Sequence, residues 1–184
     1  MSERTNDELA RDYEALYKSY VSLRREVEDL STVREIGLAI NSTLDLDETL
    51  TTIATVVHGA LDISRLTIYE LDESEPVARP IVAKYGRDLI GKERLQEDEV
   101  HYKGTALGEA VAARRVVLQQ NEYQRSAYIP LMAKNNVLGV MRLEDPDSGN
   151  PFTEPDAALF HLLGSQIAVA INNAGLYEQI KRFN

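Results

Sequence analysis

The sequence predicts an α+β fold, and three observations carry that prediction. A long helix with a seven-residue apolar repeat opens the chain. Short apolar strands separated by turn residues fill the middle. A second long amphipathic helix, with its own capping signal, closes it. With 184 residues, 43% of them hydrophobic, the chain has enough apolar material for one buried core plus an extension.

In the opening helix Leu9, Tyr13, Leu16, Tyr20, Leu23, Val27 and Leu30 are spaced alternately four and three residues apart, which is a heptad seam. The four leucines take the d positions; Tyr13, Tyr20 and Val27 take the a positions. A lone helix would leave this stripe in water, so a second copy of the chain is the expected partner. Leucine at every d position favours two parallel strands, although tyrosine is an unusual residue at a. The alternative is a helix folded back on its own domain. After Leu30 the frame slips: a strict heptad reaches Arg34 and Gly37, whereas the apolar residues are Val33, Ile36 and Ile40. Such a phase change marks where a helix leaves one partner and joins another. It divides the chain into a dimerisation helix over residues 1–32 and a domain over 33–182.

The segment "NSTLDLDETL" ends the first helix and begins another, with Asp45 and Glu48 as a capping box and Leu50, Ile53, Ala54, Val57 and Leu61 as the apolar face. "RLTIYELD" and "ARPIVAKYG" read as strands joined by the acidic turn "DESEP". Residues 87–103 are charged and irregular in pattern. "GTALGEAVAARR" is a short helix opened by Gly104 and Thr105, and "VVLQ" is a brief strand. "SAYIPLMAKNNVLGVMRLE" is a hairpin, expected to turn at Asn135-Asn136. Its strands are apolar at nearly every position, the pattern of strands covered on both faces, and Gly139 marks a close approach of another backbone. The last helix, over residues 154–182, starts with Thr153 and Asp156 as a capping box, Pro155 in its first turn and Phe152 as a staple. Ala168, Ala170 and Ala174 let a neighbouring helix come close, so Ala170, Ala174 and Tyr177 join the expected dimer interface. The apolar pattern still runs where the sequence stops, as in a piece of a longer protein.

Composition excludes several classes of chemistry. There is no cysteine, hence no disulfide, thiolate nucleophile or cysteine-bound metal centre. A net charge of −10 argues against nucleic acid and anionic membrane surfaces as partners. No apolar run approaches the ~18 residues that span a bilayer, and the charged N-terminus is not a signal peptide, so a cytoplasmic location is expected. No phosphate-binding loop, nucleophile elbow or zinc-protease motif occurs. His58 and His161 fall on helices without carboxylates at ligand spacing. The runs Glu97-Asp98-Glu99 and Glu144-Asp145 with Asp147 are solvated loops rather than an acid/base pair, and "EDPDSGN" lacks the spacing of a calcium loop. No metal or cofactor is expected. Tyr69, Tyr85 and Tyr128 fall in or beside strands, where apolar pockets with polar tips are built; core filling is the equal alternative.

The segments "REIGLAINSTLDLDETLTTIATVV", "RLTIYELDE", "GTALGEAVAARRVVL", "YIPLMAKNNVLGVMRLED" and "PFTEPDAALFHLLGSQIAVAINNAGLYEQI", in that order and spacing, resemble the GAF domain, a regulatory module of bacterial sensor kinases, cyclases and phosphodiesterases. The resemblance covers roughly residues 31 to 182. It implies a six-stranded antiparallel sheet with helices from both chain ends on one face and a ligand pocket on the other. It also implies flanking helices that dimerise and carry a signal to an output domain outside this chain. His101, Tyr102 and Thr105 then rim the pocket beside a helix N-terminus, and Tyr69, Tyr85 and Tyr128 complete a candidate set for an unidentified small molecule. Cyclic-nucleotide-binding members carry an Asn-Lys pair where Asp145 and Pro146 stand here; Phe152 and Asp156 match their pattern and Ala157 replaces a glutamate. Bilin-binding and methionine-sulfoxide-reducing members need cysteine. The expectation is therefore a non-catalytic sensory module. Its rivals are a spacer of the same fold with a closed pocket, marked by a solid core under the helix at 105–113, and a small enzyme built on His101.

Overall fold

A computed structural model describes residues 6–183 except 73, 93–94, 96–98 and 147–149. The elements are α1 (Asn6–Ile40), α2 (Leu46–Leu61), β1 (Arg65–Leu71), β2 (Val77–Tyr85), β3 (Asp88–Gly91), β4 (Val100–His101), α3 (Ala106–Ala113), β5 (Val117–Gln120), β6 (Gln124–Ala133), β7 (Asn136–Pro146) and α4 (Glu154–Phe183). Every strand pair is antiparallel, in the order β3-β2-β1-β7-β6-β5, with β4 also paired to β2.

Among the described residues the sheet therefore has seven strands where six were expected. The added strand does not widen it. The outer edge of β2 is shared: β3 pairs with residues 82–85 and β4 with Val77 and Ala78. Both short strands come from the stretch 87–103 that shows no side-chain period. Edge pairing needs only backbone groups, so the sequence pattern carries no trace of it. The β6–β7 turn is also one residue earlier than expected. Ala133 pairs with Asn136, so Lys134 and Asn135 make the turn, and Lys134 takes the left-handed conformation at φ 55°.

Helices α1, α2 and α4 cover one face of the sheet. Leu66, Ile68, Val82, Ile129, Met141 and Leu143 point into that core and meet Ile36, Ile40, Ile53, Val57, Leu163 and Ile167 from the helices. The helix starts are capped as their residues dictate. Asp45 accepts the Glu48 N–H at 2.9 Å, and the Thr43 hydroxyl donates to the Glu48 carboxylate at 2.8 Å. Asp156 accepts from both the N–H and the hydroxyl of Thr153, at 2.7 and 2.8 Å. The Phe152 ring meets Phe160 edge-on at 5.2 Å.

The phase slip in α1 is visible as a change of burial. Leu9, Tyr13, Leu16, Tyr20, Leu23, Val27 and Leu30 are all exposed, by between 51% and 71%, while Val33, Ile36, Gly37 and Ile40 are buried. Arg25 is paired with Asp156 at 2.8 Å, and Gln166 lies over Gly37, so α1 and α4 run in the same direction. Ala170 and Ala174 differ from the expected interface role. They lie on the core side of α4 with Leu163 and Ile167 and are only 3% and 1% exposed. Their small size serves packing inside the protomer, and Tyr177 alone of the three faces solvent.

Candidate functional site

The sheet face opposite the three helices divides in two. At one end α3 closes over it. Thr105 caps this helix by accepting the Gly108 N–H at 3.2 Å, while its hydroxyl donates to the Tyr102 carbonyl at 2.7 Å. A side chain at Gly108 would collide with that same carbonyl, so α3 sits directly on the Tyr102 segment. Leu107 points down from α3 onto Tyr69, Ala78 and Val140, with Tyr102 and Tyr128 packed at the margin. The space beneath the helix at 105–113 is thus occupied by side chains. Burial pushes the Tyr128 phenol up; Arg142 opposes that shift and Glu144 adds to it.

Beyond α3 the same face becomes polar. The strand register aligns Arg65 with Tyr85 and Glu144, and Thr67 with Ala83 and Arg142, which in turn lies beside Tyr128. Gln124 donates to Glu144 at 2.8 Å and to the Ser126 hydroxyl at 2.9 Å. The Arg142 guanidinium is 3.0 Å from the Glu144 carboxylate and stands 5.2 Å from the centre of the Tyr69 ring. In the midst of these groups the Thr67 and Tyr85 hydroxyls are buried with no hydrogen-bond partner among the described residues. Each such orphan costs about 1–3 kcal/mol. Donors and acceptors held ready beside an Arg–Glu pair suit a small polar molecule rather than an apolar one.

The structure brings Tyr69, Tyr102 and Tyr128 together around Leu107 and leaves the other expected ligand residues outside that cluster. Tyr85 lies along the polar half of the face. His101 is exposed on β4, where it pairs with Val77, and Thr105 is committed to capping α3. Glu97, Asp98 and Asp147 lie outside the described residues, while Glu99 is held by Arg79. Glu144 and Asp145, read from sequence as part of a solvated turn, are strand residues with arginine partners. Thr67, Gln124, Ser126 and Arg142 were not singled out from the sequence. The usable signal was the alternation Met141, Arg142, Leu143, Glu144, which places both charges on one face of an otherwise apolar strand. On the helix side, a groove of about 280 Å³ opens between the start of α2 and the last turns of α4, lined by Leu46, Ile68, Leu138, Ile171, Gly175 and Leu176.

Comparisons with known proteins agree with this architecture. The GAF domain of a phosphoenolpyruvate-protein phosphotransferase from Acinetobacter superposes with a TM-score of 0.69 at 21% identity, over 83% of this chain and 98% of that one, which shows a shared fold. The formate hydrogenlyase transcriptional activator of Escherichia coli K12 is 23% identical over 184 residues, covering 89% of this chain and 26% of its own length. Diguanylate cyclase A of Treponema denticola is 24% identical over 170 residues, covering 84% of this chain and 45% of its own. The chain thus spans between a quarter and a half of these curated relatives. No helix among the described residues is long and apolar enough to cross a membrane. The family described as GAF domain matches residues 45–173, from the cap of α2 to the middle of α4. With more than half of its length inside that match, and with the sheet and helices in the corresponding arrangement, the chain belongs to the GAF domain family.

Proposed function

We propose that the chain is a non-catalytic regulatory module of a cytoplasmic signalling protein, acting as a homodimer and relaying a change through α1 and α4 to an output domain. The observation that carries this reading is the stripe from Leu9 to Leu30, seven large apolar residues left in water by the protomer's own fold. Water-exposed stripes of this length at heptad spacing are stable only when another helix covers them. The longer relatives, a transcriptional activator and a cyclase by name, supply the analogy for an output domain. A ligand shifts such a relay only by its differential affinity for two helix arrangements. The decisive variant combines Leu16→Asp with Leu23→Asp. We expect it to remain folded and to associate at least about 100-fold more weakly in sedimentation equilibrium, because each charge would be buried in the seam. Wild-type association of this variant would exclude α1 as the interface.

A second reading concerns the orphan hydroxyls. The Thr67 side chain is fully buried on the polar half of the face. If a small polar molecule completes this site, native mass spectrometry of the protein purified from cells should show it, and Thr67→Val should lose it. If the module is instead a closed spacer, as the filled core under α3 favours, Thr67→Val removes an unsatisfied group at equal volume. It should then raise stability by about 1 kcal/mol with no bound molecule in either form.

A further inference from the structure

Among the described residues the sheet breaks register twice, and both breaks lie at the groove between the start of α2 and the last turns of α4. Between β1 and β2, Ile68 pairs with Val82 and Tyr69 with Pro80, so Ile81 is an extra residue with no partner on β1. Between β6 and β7, Leu131 pairs with Gly139 and Met132 with Val137, so Leu138 is the extra one. Both extra residues line the groove, and β1, which carries Ile68, runs between their strands. Pro80 and Pro130 stand at the two breaks, where each withholds a ladder donor. Bulges leave backbone groups unpaired and are over-represented beside active sites. The opposite wall is α4, and there Gly175 leaves a gap: a Cβ would meet nothing within 4 Å. A glycine inside a helix is a destabilising choice, yet among the described residues no other element closes in on the space it leaves.

We propose that this groove binds a neutral, flat, mostly apolar molecule the size of a fused bicyclic ring, held between the two bulges and Gly175. Size comes first. An enclosed apolar cavity of about 150 Å³ takes benzene, so the 280 Å³ here suit two fused rings. A helix with its side chains is about 10–12 Å across and is too wide for such a recess. The surfaces are apolar: Ile68 and Leu131 at the floor are 1% and 0% exposed, and Ile171 and Leu176 flank Gly175. Polar handles are few. Asn172 and Gln179 bring carboxamides, each a donor and an acceptor, three residues before and four after Gly175. The acidic lining residue, Glu70, already has its charge met by Lys92 at 2.9 Å, so an ion gains no free counter-charge from it. Because one wall is α4, occupancy favours the arrangement in which the last turns of α4 lie against the sheet. That consequence rests on the relay proposed above; the binding itself does not.

The test is an amide NMR titration of the full chain with millimolar indole as the neutral probe and indole-3-acetate as its anionic counterpart. Indole should move the amides of Ile81, Leu138, Gly139, Gly175 and Leu176, and indole-3-acetate should bind at least about tenfold more weakly. Gly175→Leu places a side chain in the gap. It should weaken indole binding by about tenfold or more while unfolding no earlier than the wild type, since leucine is the better helix former. Shifts that fall elsewhere, no shift at all, or tighter binding of the anion overturn the inference. Indole binding unchanged in Gly175→Leu overturns it too. If that variant does not fold, the wild-type shift map decides alone. A Gly175→Leu protein that self-associates more weakly and shows no indole effect has its groove filled by a second copy, which also overturns the inference. The Leu16→Asp, Leu23→Asp variant should bind indole as the wild type does, so failure of the homodimer reading and failure of this site are told apart.

Discussion

Gly139→Ala should unfold at a temperature about 10 °C below the wild type, for a loss of at least about 3 kcal/mol. Gly139 on β7 lies opposite Glu70 on β1, next to the irregularity where β6 steps past β7 between Leu131 and Met132. A Cβ at this position would run into the carbonyl oxygen of Tyr69. The obstacle is backbone in a central strand, and Tyr69 is itself 1% exposed beneath α3, so relief requires moving a strand rather than rotating a side chain. The matched control is Gly175→Ala on α4. Its Cβ would meet nothing within 4 Å, so helix propensity alone applies and the variant should gain about 0.5–1 kcal/mol. Thermal and urea unfolding of the two variants side by side separate the effects. Equal midpoints would mean that β1 and β7 can part without cost.

Asp145→Ala should cost about 2–3 kcal/mol at neutral pH, because it leaves the Ser64 N–H and the partly buried Arg125 guanidinium without their acceptor. One carboxylate oxygen accepts the Ser64 N–H at 2.7 Å, and the other accepts Arg125 Nε at 2.9 Å and Nη2 at 2.6 Å. The Asp145 side chain is only 9% exposed. Arg125 also covers the Phe152 ring at 4.4 Å, so the cluster ties the loop after α2 and the end of β7 to the entry of α4. Burial pushes the Asp145 carboxyl up, but the Ser64 N–H and the Arg125 guanidinium outweigh it and hold the group below the usual carboxylate range. With the folded value below the unfolded one of about 3.9, the stabilisation is complete above that pH and is lost as pH falls through the folded value. Urea titrations at pH 7 and at pH 3 should therefore show the gap between wild type and Asp145→Ala narrowing in acid. A gap of constant size would mean that the carboxylate contributes nothing through its charge.

The two predictions differ in how legible their residues are. Gly139 announces itself, since a lone glycine in an apolar strand costs stability unless another backbone comes close. Asp145 does not. In sequence it begins "DPDSGN", which reads as a turn, and only the return of β6 beside β7 brings Arg125 against it. Of the candidate ligand residues, Tyr69 and Tyr128 converge because alternate residues of neighbouring strands share a face, and Tyr102 joins them from the segment between β4 and α3. Their convergence makes a core under α3, and the orphan hydroxyls of Thr67 and Tyr85 lie beside it.

From its sequence alone this chain declares its helices, their caps, five of its strands, the slip of phase near residue 30 and the absence of thiol chemistry. All of these follow from periods, capping residues and composition within a few turns of chain. Tertiary structure decided the rest: the split outer edge of β2, the turn at Lys134 and Asn135, and the inward placement of Ala170 and Ala174. Strand edges pair through backbone groups that every residue carries, and a helix apolar on more than one side does not say which side the sheet will take. Those choices are made only when elements distant in sequence compete for the same surface.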